Sequence, residues 1–245
     1  VACQTCHIPE FAKVNATKMY WDWSQAGKLK DGKAYSEEDE DGNDIYLSIK
    51  GAFKWEKHVK PEYVWFNGTA DHYFLGDKVD KTKTVKMNSL NGDYRDRDAK
   101  IIPVKVHRSK QIYDCCNKTI IQPKLYAEEK GRGGYWKDFD WNIAAKLGME
   151  AVNEAYSGKY CFVKTEMSWP VNHMVSPKEG ALTCTECHTR TGSRLASLTD
   201  FYLPGRDSNR FVEIIGKILL ILSVIGVLIH ALMRIIASKK GGAQS

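Results

Sequence analysis

The sequence predicts a mainly α and irregular module with few short strands, followed by one C-terminal transmembrane helix. Three observations carry that expectation. Two Cys-x-x-Cys-His pentads, Cys3-Gln-Thr-Cys6-His7 and Cys184-Thr-Glu-Cys187-His188, stand near opposite ends of the 245 residues. Most of the intervening chain is polar and turn-rich, with only brief alternating stretches. A nearly continuous apolar run, Phe211 to Ala237, lies near the C-terminus.

The pentad is the attachment pattern of c-type haem: two thiols add across the vinyl groups, and the adjacent His ligates the iron. Two copies make the module a multihaem c-type cytochrome module with two covalently attached haems c. His7 and His188 become the candidate proximal ligands. The competing chemistry is a zinc-stapled, membrane-anchored interaction domain without haem, its metal held by Cys3, Cys6, Cys184 and Cys187. That reading leaves both following histidines as coincidences.

Residues 8–60 mix short helical and loop signals, with Tyr20, Trp21 and Trp23 clustered beside Gly27. Glu37 to Asp44 reads as a solvated turn around Asp41-Gly42-Asn43. A calcium loop would need a bidentate Glu where Ser48 stands. Residues 61–135 read as irregular, with β-prone pieces at Val104-Lys105-Val106 and Thr119-Ile120-Ile121. Asp140 to about Tyr156 is the best helix of the module, capped by Asp140, with Ile143, Leu147 and Val152 expected inward and Gly158 after its end. Pro204-Gly205 breaks the pattern before the apolar run. About 20 apolar residues cross a bilayer core, and Lys217 and Arg234 are placed to snorkel to the headgroups.

The expected domains are a haem module at 1–205, a linker at 206–210, a transmembrane helix at 211–237 and a cytoplasmic tail at 238–245. Haem c is attached outside the bacterial cytoplasm, which puts the module on the periplasmic face of the inner membrane and the tail inside. The start at Val1, two residues before the first motif, fits the tail of a longer exported chain. The net charge of +6 is offset by the propionates of two haems, and Lys and Arg are interleaved with Asp and Glu. No basic stripe marks a nucleic-acid partner. Outside the pentads stand Cys115, Cys116 and Cys161. An odd number leaves at least one thiol outside any bridge within the chain, and neighbours such as Cys115 and Cys116 rarely bridge each other.

Low-spin haems need distal ligands, commonly His or Met. His58, His72, His107 and His173 are available. His173 stands out, just before the second pentad in Trp169-Pro170-Val171-Asn172-His173-Met174. His107 stands out beside Arg108, a residue suited to a propionate. His230, within the apolar run and one turn before Arg234, is a candidate axial ligand to a haem b shared with a partner helix.

Longer stretches match a known pattern: Ala2 to Ala12 around the first pentad, Lys18-Met-Tyr-Trp-Asp-Trp-Ser-Gln-Ala-Gly27, Pro61-Glu-Tyr-Val-Trp-Phe-Asn-Gly68, Val106-His-Arg-Ser-Lys-Gln111, and Thr165 to Val175 leading into Cys184. On these the chain resembles the C-terminal part of membrane-anchored octahaem c-type cytochromes of the tetrathionate reductase family. The resemblance implies that both pentads are the last sites of an octahaem set, and that His107 and His173 match distal-ligand positions. It also implies an upstream multihaem segment or subunit carrying a Lys-ligated substrate haem. No Cys-x-x-Cys-Lys occurs here, so no catalytic residue is assigned. Cys115-Cys116 departs from the family's pattern. The function expected is electron transfer between a membrane b-type cytochrome or quinone-linked partner and a periplasmic haem chain. Such a chain would serve a reductase of small sulfur or nitrogen compounds.

Overall fold

The computed structural model describes residues 1–241, with side chains through residue 237. Its module corrects the mainly α expectation: it is built mostly of strands and irregular chain. The strands are β1 Thr17–Asp22, β2 Ser36–Glu38, β3 Asp44–Leu47, β4 Gly51–Glu56, β5 Glu62–Phe66, β6 Ala70–His72, β7 Val85–Lys86, β8 Asn88–Leu90, β9 Lys100–Asp114, β10 Thr119–Ile120 and β11 Tyr160–Pro170. The helices are α1 Cys3–His7, α2 Tyr135–Asp138, α3 Trp141–Ala151, α4 Cys184–Cys187 and α5 Arg210–Gly241. The expected tail at 238–245 falls in the last helical residues and beyond the described part.

A mixed nine-stranded sheet organises the module. Its order is β2-β3-β4-β1-β9-β11-β7, with β5 and β10 also pairing to β9. β1 runs parallel to β9, and β7 parallel to β11. The spine is the antiparallel β9–β11 ladder, from Asp114 opposite Tyr160 to Val104 opposite Pro170. Val104 and Val106 are buried, while Lys105 and His107 are less so, as a two-residue period requires. Lys105, Arg108 and Lys110 disguise this strand as surface chain, and Pro103 reads as a breaker. Pro103 is tolerated because β11 pairing has already stopped at Val104. Its carbonyl instead accepts the Val171 N–H at 3.0 Å.

The helix expected from Asp140 is α3. Asp140 caps it, its carboxylate accepting the N–H groups of Asn142 and Ile143 at 2.8 and 3.1 Å. The buried face differs from expectation. Ile143 and Val152 are exposed, whereas Ala144, Ala145, Gly148 and Met149 are buried. Gly148 explains the rotation: a Cβ there would lie 1.9 Å from the Gln122 carbonyl oxygen. The small-residue face lets residues 122–124 approach where larger side chains would hold them off. Tyr135, Trp141 and Ile112 complete this core.

Cys115 and Cys161 form a disulfide next to the last rung of the β9–β11 ladder, and Cys116 stays outside it. The acidic stretch near Asp41 is a turn closed by Asp39, whose carboxylate accepts from the N–H groups of Asp41 and Asn43. The chain divides into two compact units. One holds Val1–Cys184 and Arg194–Phe201; the other holds Thr185–Ser193 and the chain from Tyr202 onward. In the second, α5 is long and apolar enough over Arg210–Ala237 to cross a membrane. Those 28 residues extend about 42 Å, more than the roughly 30 Å of a hydrocarbon core.

Candidate haem sites

The first pentad is α1, a single helical turn that places Cys3 and Cys6 ahead of His7. Its fixings are long-range. The Ala2 N–H donates to the Ile101 carbonyl at 3.0 Å, and the buried Thr5 hydroxyl donates to the same oxygen at 2.5 Å. The turn is thereby pinned to the start of β9. Ile8, Phe11 and Ala12 continue from it into a small core with Val59 and Val171.

Ser176 holds the His7 side chain and backbone together. The imidazole Nδ1 lies 3.0 Å from the Ser176 carbonyl, and the Ser176 N–H donates to the His7 carbonyl at 2.7 Å. Lys13 Nζ donates to the Ser176 hydroxyl at 2.9 Å. With Nδ1 donating, Nε2 is left with its lone pair to ligate iron. In the same unit, the Leu182 N–H donates to the Cys6 carbonyl at 2.9 Å. Cys184, two residues on, therefore lies close to the first attachment turn.

The second pentad is α4 and His188. The Ser193 hydroxyl donates to the Cys187 carbonyl at 2.7 Å. His188 Nδ1 lies 2.7 Å from the Pro204 carbonyl, the same arrangement as at His7. Gly205 makes that approach possible: its φ is +84°, and a Cβ would lie 2.7 Å from the His188 carbonyl oxygen. Arg206 pairs with Asp207, and Arg190 with Glu213 in the first turn of α5.

Among the distal candidates, His107 has the most defined setting. It lies on β9, half-buried, with Nδ1 3.1 Å from the Lys18 carbonyl. Burial lowers its pKa, the Lys18 carbonyl bond opposes that, and the charges of Lys105 and Lys18 add to the lowering. The neutral ring is the form that binds iron. Arg108 pairs with Glu62 through two bonds of 2.7 and 3.1 Å. His173 is exposed and lines a pocket of about 290 Å³ with Lys105 and Trp169. Lys105 is two positions from His107 on the same strand face, so the structure brings the two candidates to one region. His58 is exposed and pairs with Glu10. His72 is on the edge strand β6, and His230 lies on α5 in the other unit.

No disulfide joins any of the four pentad cysteines. Those thiols, each followed by an imidazole with Nε2 available, fit covalent haem. Among the described residues no group of three or more His, Cys, Asp or Glu is placed to hold a metal ion. Neither the zinc staple nor the calcium loop gains support from that. Sequence reasoning missed Ser176, Lys13 and Pro204. Backbone acceptors carry no residue-type signal, and these lie far from, or unaligned with, the motifs they serve.

The family model described as "Cytochrome c bacterial" matches residues 18–191, well over half of the chain. The chain belongs to this bacterial cytochrome c family. Membership implies covalently bound haem c and electron transfer. The matched region contains the second pentad and begins after the first. The chain is also similar to the octahaem cytochrome c from Shewanella oneidensis in its crystal structure, with 50% identity and a TM-score of 0.75. That likeness covers 84% of this chain and 47% of the other, so this cytochrome spans about half the length of its structural relative. No curated protein matches it.

Proposed function

We propose that this chain is the electron-relay part of a membrane-anchored multihaem c-type cytochrome of the tetrathionate reductase type. It would carry two haems, one on Cys3, Cys6 and His7, the other on Cys184, Cys187 and His188. The observation that carries the reading is the matched pair of imidazoles. Each follows a Cys-x-x-Cys turn and has Nδ1 tied to a backbone carbonyl, leaving Nε2 for iron. His107 and His173 serve as distal ligands, for these haems or for haems of an upstream segment.

The haem c supplies one-electron chemistry when bound; the chain positions it and tunes it. The Leu182 N–H bond to the Cys6 carbonyl fixes the chain leading to Cys184 within the unit that holds the first pentad. The apolar helix supports anchoring at the periplasmic face of the inner membrane, with a b-type cytochrome or quinone-linked partner there. His230 is the candidate ligand for a haem b shared with that partner. The complete assembly would reduce a small sulfur or nitrogen compound at a haem outside this chain.

The test is a pyridine haemochrome spectrum of the chain made in a host with c-haem maturation. Two covalent haems per chain are expected, along with an extractable haem b that His230→Ala removes when the partner is present. A colourless chain binding zinc would sink the cytochrome relay.

A further inference from the structure

We propose that the chain sets its two haem sites at different reduction potentials, the His7 site above the His188 site. The inference rests on the two-haem reading. Two features of the chain's own residues act in the same direction.

Charge is the first. Lys13 Nζ grips the hydroxyl of Ser176, the residue whose carbonyl holds the His7 ring. Among the described residues Lys13 has no carboxylate partner, so its charge stands uncompensated beside the first site and favours the electron-loaded state. The cations beside the second site are neutralised: Arg206 by Asp207, Arg190 by Glu213.

Hydrogen bonding is the second. His188 Nδ1 is 2.7 Å from its carbonyl and His7 Nδ1 is 3.0 Å from its own. A closer acceptor draws the ring proton more strongly and makes the imidazole a better donor to iron, which favours the oxidised state at the second site.

The experiment is a spectroelectrochemical titration of the full chain with both haems in place, with the haem count checked by pyridine haemochrome for every variant. Two midpoints are expected, separated by at least tenfold in the exchange equilibrium, about 59 mV for a one-electron couple. Lys13→Met lowers the higher midpoint and leaves the lower one in place, whereas Lys13→Arg retains both. Ser176→Ala, which keeps the carbonyl and removes the hydroxyl, moves the higher midpoint the same way and carries the test should Lys13→Met not fold. Coincident midpoints, or a shift confined to the lower one, would overturn the proposal. Fewer than two haems in the unaltered chain would instead overturn the two-haem reading beneath it.

Discussion

Ser157 gives both its backbone N–H and its hydroxyl to the carboxylate of Asp114, each at 2.6 Å. The N–H groups of Cys116 and Asn117 reach the same carboxylate at 2.9 and 2.8 Å. Asp114 is fully buried at the end of β9, where it ties the turn after that strand to the chain entering β11. Burial by itself would raise its pKa, but the bonds from Ser157, Asn117 and Cys116 outweigh that and hold it below the usual carboxylate value. A carboxyl depressed in the fold stabilises above its unfolded pKa, near 4, and loses that stabilisation as pH falls through the folded value. Asp114→Ala should cost about 3 kcal/mol at neutral pH, on the scale of charged hydrogen bonds and stranded donors. The difference from the unaltered chain should shrink below about pH 4. Urea unfolding at several pH values checks both.

The disulfide closes the same end of the ladder from Cys115 to Cys161, 46 residues apart. On a chain-entropy scale a loop of that size stabilises by up to about 4 kcal/mol. The double variant Cys115→Ser, Cys161→Ser should lower the denaturant midpoint accordingly. Cys116→Ser, outside the bridge and exposed, should leave it within about 0.5 kcal/mol.

Gly148 offers a sharper test of packing. In an exposed helix, Gly→Ala stabilises by about 1 kcal/mol. Here the added Cβ would meet the backbone of Gln122 and Lys124, so the substitution should destabilise by about 1–3 kcal/mol. Thermal unfolding of Gly148→Ala gives the sign directly.

What was legible in the chain was chemistry written in local spacing. A pentad needs five consecutive residues, a span needs a continuous apolar run, and the Asp140 cap needs one residue before a helix. The sheet was not legible, because β9 owes its buried centre to β5, β1, β10 and β11, all distant in sequence. Its Lys and Arg side chains run outward between buried ones, which hides the alternation. The face of α3 was misread because residue size and polarity favour Ile143 and Leu147, whereas backbone approach at Gly148 decides the orientation. At the candidate sites the thiols and imidazoles were legible, and the carbonyls of Ser176, Pro204 and Lys18 that orient those rings were not.

His107 carries the last prediction. Its Nδ1 is tied to the Lys18 carbonyl across the parallel β1–β9 pair, and desolvation lowers its pKa, so Nε2 is presented as a ligand from a strand. His58 is exposed, with Nδ1 beside the Glu10 carboxylate rather than a backbone carbonyl. His107→Ala should leave the covalent haem count of the chain unchanged, since no thiol is altered. It should convert one haem from low-spin to high-spin, read from the loss of its low-spin EPR signal. His58→Ala should leave the spectrum as it was. An unaltered spectrum in His107→Ala would mean that no iron of this chain uses that imidazole. The same substitution should then be read in the assembly with its upstream segment, where loss of one low-spin signal would place His107 on a haem attached outside this chain.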